Sequence, residues 1–206
     1  MEGYRTIAGI AESEFVEKRS RFISAIAPVA TVEEAADFLR TRRERYHDAG
    51  HTVYAYLLRS GQQKYSDDGE PQGTGGLPVL DVIQRSGLTD AIVTVTRYFG
   101  GILLGAGGLT RAYTRGAADA VAAARQIEYA LCAVVEVVCD YNQYGRIQNA
   151  YPKLGARLVD SDFAADVTLR LLIKAGDAPA FIDAITELTA ATALAEQVET
   201  LFSVLD

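Results

Sequence analysis

Arg97-Tyr98-Phe99-Gly100-Gly101-Ile102-Leu103-Leu104-Gly105-Ala106-Gly107-Gly108-Leu109-Thr110-Arg111 joins an apolar run, Ala91 to Val95, to a long Ala-rich segment. The pattern reads as strand, glycine-rich turn and helix, the unit of an α/β domain. Glycine lacks Cβ and tolerates positive φ, so this backbone can turn tightly or lie close to another group. Gly100, Gly101, Gly105, Gly107 and Gly108 therefore have two readings. Either they let two backbones pack together, or they let unpaired N–H groups at a helix start cradle an anion. Arg97, Arg111 and Arg115 flank the turn, and in the second reading they contact phosphate.

Upstream, Tyr4 to Ala11 and Glu14 to Ala27 read as a hairpin with its turn near Glu12-Ser13. Thr31-Val32-Glu33-Glu34 is a capping box whose helix runs to about Tyr46. His51 to Leu58 alternates as a half-buried strand, with Val53, Ala55 and Leu57 on one side and Thr52, Tyr54 and Tyr56 on the other. Ser60 to Gly76 reads as a long polar loop, and loops of that length are functional or mobile. A short helix through Val79, Leu80, Val82 and Ile83 follows, with Pro78 in its first turn. Past the glycines a helix is predicted from about Gly108 to Arg125.

The remainder predicts strand (Ala130 to Cys139), helix (Asn142 to Leu154), strands Arg157 to Ser161 and Ala165 to Lys174, a helix capped by Asp177, and a last strand (Ala195 to Val204). The order β-α-β-β-α-β is the ferredoxin-like split arrangement. The chain is thus read as α+β with two domains, residues 1–127 and 128–206. Cys132 and Cys139 stand an odd number of residues apart in one strand, so they face opposite sides as reduced thiols.

Composition narrows the classes. A hydrophobic share of 49% and a charged share of 23% suit a packed globular chain and exclude a disordered one. No apolar run approaches the ~18 residues of a membrane span. The first residues lack a secretory pattern, so a cytoplasmic protein without membrane association is expected. Residues 1–127 balance 15 acidic against 15 basic side chains, whereas residues 128–206 carry 12 against 5. The second half is thus a poor nucleic-acid surface by bulk charge, and no DNA sequence recognition is expected. The first half clusters its arginines at 19 and 21, at 40 to 45, and around the glycines.

Arg97-Tyr98-Phe99-Gly100-Gly101-x-x-Leu104-Gly105-x-Gly107-Gly108-Leu109-x-Arg111-Ala112-Tyr113, preceded by Ser66-Asp67-Asp68-Gly69-Glu70-Pro71-x-Gly73-Thr74-x-Gly76 and by His51 and Tyr54-Ala55-Tyr56, closely resembles the YigZ/IMPACT family. The likeness is detailed over the first domain. It implies a first domain similar to domain IV of elongation factor G, a second similar to its domain V, and a cytoplasmic role connected with translation. It carries over no catalytic residues.

Two functional readings of the first domain follow, beside a third in which the chain is a protein-binding module whose acidic second domain meets a basic partner. In the first, the N-terminal domain binds RNA or a ribosome-associated partner through Arg97, Arg111, Arg115 and the glycine loop, with no cofactor and no metal. In the alternative, an enzyme acts on a phosphorylated or carboxylated small molecule. Asp67, Asp68 and Glu70 then hold a hard cation and His51 serves as acid or base. Asp-Asp-Gly-Glu-Pro is equally a plain turn sequence. The phosphate-loop pattern Gly-x4-Gly-Lys-Ser/Thr is absent, which excludes that class of nucleoside triphosphatase.

Overall fold

Residues 3–204 are described by the computed structural model, and residues 1, 2, 205 and 206 lie outside that range. The chain divides into two compact units, Tyr4–Glu128 and residues 129–204 with Gly3. The first unit contains β1 (Tyr4–Ile7), β2 (Ala11–Glu17), β3 (Ser20–Pro28), α1 (Val32–Arg45), β4 (His51–Leu57), β5 (Gln63–Ser66), α2 (Gly76–Arg85), β6 (Ala91–Tyr98) and α3 (Ala106–Ala123). Its sheet has the order β2-β3-β6-β4-β5 and is antiparallel throughout.

Period-two alternation sends alternate residues of each strand to opposite faces, and here both faces are covered. Ala27, Tyr54, Tyr56 and Ile92 pack on Ala35 and Leu39 of α1. Phe22, Ile26, Val53, Ala55, Val93 and Val95 pack on the other face with Val79 and Ile83 of α2 and Tyr113 and Ala117 of α3. Burying each such Phe or Ile contributes roughly 1.5–3 kcal/mol. Phe22 stacks on Phe15 at 5.0 Å and meets Tyr113 edge-on at 5.6 Å, which fixes α3 against the sheet. The predicted N-cap forms, with the return bond of the box shifted one residue back, to Ala30. Thr31 Oγ1 accepts from the Glu34 N–H at 3.1 Å, and the Glu34 carboxylate accepts from the Ala30 N–H at 2.6 Å.

Two expectations are corrected. The hairpin turn is Lys18-Arg19, not Glu12-Ser13, because Glu12 and Ser13 lie within β2, paired to Ala25 and Ser24. Lys18 and Arg19 hold φ of 45° and 62°, the backbone of a two-residue mirror-image turn. The predicted Ser60–Gly76 loop contains β5, a polar four-residue edge strand paired to β4.

The second unit contains β7 (Gln126–Cys139), which starts within the first unit, α4 (Tyr141–Ala150), β8 (Arg157–Phe163), β9 (Val167–Lys174), α5 (Ala178–Leu188) and β10 (Leu194–Ser203). Its antiparallel strands run β10-β7-β9-β8, fourth, first, third, second in chain order. Val135, Val137, Leu169 and Leu171 pack on Ile147 of α4 and Phe181 and Ile185 of α5. Cys139 joins that core, and Cys132 lies on the opposite face with Val134 and Leu172. Asp177 occupies the N-cap position of α5 without a side-chain bond, whereas Asp140 caps α4 by accepting from the Gln143 N–H at 2.8 Å. β1 lies beside the start of β7, where Arg5 bonds Gln126 and the Ala8 N–H donates to the Arg125 carbonyl at 2.9 Å. No helix among the described residues is long and apolar enough to cross a membrane.

Candidate functional site

Arg97 occupies the last position of β6 that faces α2 and α3, two residues beyond Val95. There it turns inward. Its Nη1 donates to Glu70 Oε1 at 2.7 Å, and the Tyr113 hydroxyl donates to the same oxygen at 2.7 Å. Nη2 donates to Ser20 Oγ at 3.3 Å, which also receives the Gly100 N–H at 3.2 Å. The guanidinium stacks between Phe22 at 5.6 Å and Phe99 at 5.5 Å. Arg97 is 6% exposed and Glu70 8%, so this is a buried ion pair. Burial, and then the bond to Glu70, push the Tyr113 phenol far above its usual range and keep it a donor. The expectation that Arg97 contacts phosphate is corrected: its charge is consumed inside the fold, tying the Asp67–Glu70 turn to the glycine-rich loop.

The other carboxylates are also engaged, each with different partners. Asp67 accepts from the N–H groups of Gly73, Gly75 and Gly76 at 2.8–2.9 Å and so caps α2 from outside its own sequence. Burial raises its pKa, but the three backbone donors together outweigh that and hold it below the usual aspartate range. Asp68 accepts the Thr52 N–H at 2.7 Å and pairs with Arg43. Its carbonyl lies 2.8 Å from His51 Nδ1. A carbonyl only accepts, so Nδ1 carries a proton and only Nε2 remains to act as a base. Asp68 (φ 47°) and Gly69 (φ 87°) form the centre of a tight turn closed by the Glu70 N–H on the Asp67 carbonyl at 3.0 Å. Among the described residues no three or more His, Cys, Asp or Glu converge as metal ligands. His51 and the acidic turn do meet, as the enzyme reading requires, but through backbone and not as a ligand set.

The glycine loop closes differently. A Cβ on Gly100 would fall 2.0 Å from the Arg19 carbonyl carbon, so here the loop backbone rests directly on the hairpin tip. Gly101 follows in the loop, and Gly107 and Gly108 lie in the first turn of α3. Gly105, at φ 73°, precedes that turn without a capping side chain, which leaves the first N–H groups open. Close backbone packing thus accounts for Gly100, and the start of α3 at Gly105 is left without a side-chain cap.

Between the hairpin tip and α3 lies a pocket of about 230 Å³, lined by Lys18, Arg111, Arg115, Glu17, Phe15 and Leu104, with Gly108 in the wall. Arg115 stacks on Phe15 at 4.3 Å and reaches Asp119 at 3.4 Å. Lys18 and Arg111 have no ion pair among the described residues. Beside the pocket the loop exposes Phe99 (57%), Ile102 (41%) and Leu103 (81%). The structure therefore brings Arg111 and Arg115 together and removes Arg97. It adds Lys18 and Phe15, which sequence reasoning missed because nothing in Glu17-Lys18-Arg19-Ser20 marks a turn.

Residues 18–121 match the Impact N-terminal domain, and residues 137–192 match a domain of unknown function (DUF1949). The IMPACT family member YvyE of Bacillus subtilis is 34% identical over 191 residues, covering 92% of this chain and 88% of that protein. The Escherichia coli member YigZ is 34% identical over 168 residues, covering 80% and 82%. Protein IMPACT of Rattus norvegicus is 31% identical over 96 residues, 43% of this chain and 30% of that protein. A solved structure, described as the crystal structure of an hypothetical protein, superposes with a TM-score of 0.63 at 30% identity, covering 97% of this chain and 98% of that one. With both domain matches in order and a third of positions shared along nearly the whole length of bacterial relatives, the chain belongs to the YigZ/IMPACT family.

Proposed function

We propose that this is a cytoplasmic, translation-associated protein whose first unit binds RNA, on the ribosome or free, in the pocket between the Lys18-Arg19 turn and α3. The observation that carries the reading is the gathering of Lys18, Arg111 and Arg115 around one concavity beside the uncapped start of an 18-residue helix. Lys18 and Arg111, which have no ion pair among the described residues, and open N–H groups favour an anion. Lys18 and Arg19 sustain left-handed backbone that glycine or asparagine would adopt more easily, and strain of this kind concentrates at binding sites. Exposed Phe99, Ile102 and Leu103 offer apolar surface to a base or to a ribosomal protein.

The enzyme alternative has less support. Asp67, Asp68 and Glu70 point to separate partners, and His51 Nδ1 is occupied. Binding of the whole chain to single-stranded RNA, measured by fluorescence anisotropy, tests the reading. Arg111→Ala, at an exposed helix position, is expected to weaken binding by on the order of 1–3 kcal/mol. Unchanged affinity in the folded Arg111→Ala and Arg115→Ala variants sinks it.

A further inference from the structure

The pocket beside α3 has a closed floor. Phe15 and Ala112 at its base are core residues, packed with Phe22 and Tyr113. At about 230 Å³ it has room for a phosphate with part of one sugar. Three cations line it, two of them without an internal anionic partner. A phosphodiester carries one negative charge, whereas a phosphate monoester carries about −1.5 to −2 at pH 7 and has three free oxygens for charge-assisted bonds. Glu17 stands in the same wall. Its charge opposes a phosphate of either kind, but the carboxylate can accept a hydrogen bond from a hydroxyl of the attached sugar. Cations for a phosphate and one acceptor beside them match a phosphate attached to a ribose, whose 2′-hydroxyl is what distinguishes RNA from DNA. The exposed apolar loop continues outward from Leu104, where the attached base would lie.

The geometry points to the phosphorylated end of an RNA strand as the occupant of this pocket. The terminal monoester sits on Lys18, Arg111 and Arg115, and a hydroxyl of the terminal ribose donates to Glu17. This rests on the RNA-binding reading above and adds to it that the protein recognises an end.

The test uses the full chain and one short single-stranded RNA sequence in four forms: 5′-phosphorylated, 3′-phosphorylated, hydroxyl at both ends, and circular. Anisotropy is expected to show one phosphorylated form binding about tenfold more tightly than the hydroxyl-ended and circular forms. Lys18→Ala and Arg111→Ala should each bring the four forms to similar affinity. Glu17→Ala, which removes the acceptor, should reduce the preference for RNA over DNA of the same sequence. Equal affinity for all four forms, with RNA binding retained, overturns the inference and leaves the binding reading intact. Failure to bind any form overturns both. A 5′- or 3′-mononucleotide that competes as strongly as the phosphorylated strand overturns the strand end as occupant.

Discussion

Glu70 holds two groups at once, the Arg97 guanidinium and the Tyr113 hydroxyl, both in the interior. Replacing such a pair by apolar residues can be neutral, but removing one partner strands the other charge out of water. Glu70→Ala is therefore expected to cost about 3–5 kcal/mol in urea unfolding, and Glu70→Gln, which keeps an acceptor, less. Asp67 gives a pH signature. Its folded pKa lies below the unfolded value, so its stabilisation is present above the unfolded pKa of about 3.9 and is lost as pH falls through the lower folded pKa. Thermal melts of Asp67→Asn should show a lower melting temperature at pH 7, with the gap to the parent closing toward pH 2. A gap that persists at low pH would count against this carboxylate as the cap of α2. Neither role was legible in the sequence. Asp67 reads as a turn residue, and Arg97 stands 27 positions from Glu70, so nothing local indicates that the arginine points inward.

At the scale of elements, local signals located what they could. β6 is marked in the sequence because its apolar run, Ala91 to Val95, is buried on both faces and rich in β-branched residues. α1 was found from a cap that forms as predicted. The Lys18-Arg19 turn was missed because it lacks the Asn or Gly that such turns favour, and β5 because a polar edge strand has no apolar alternation. The same turn makes a prediction of opposite signs. Lys18→Asn with Arg19→Gly should relieve left-handed strain and raise stability by about 1–2 kcal/mol in chemical denaturation, while weakening RNA binding. A variant that gains stability and keeps full affinity would remove the turn from the binding surface.

Across the whole molecule, the acidic excess and the cationic pocket fall in different units. The acidic excess belongs to residues 128–206, and the pocket belongs wholly to the first unit. A fragment ending at Glu128 keeps Gln126 for Arg5 and the Arg125 carbonyl for Ala8, so these two contacts of β1 survive the cut. That fragment is expected to bind RNA as tightly as the full chain or more so, with log affinity falling against log salt at a slope near −0.7 per phosphate neutralised. Loss of binding in a folded fragment would assign recognition to the acidic half.

The buried Arg97 also bears on how a genetic screen of this protein should be read. Substitutions at Arg97, Glu70 and Tyr113 would lower activity just as those at Arg111 or Lys18 would, and a screen that scores activity alone would draw all five into one binding site. Measured cellular abundance would separate them. The first three would fall in abundance because they are destabilised, and the other two would accumulate as intact protein with weakened binding.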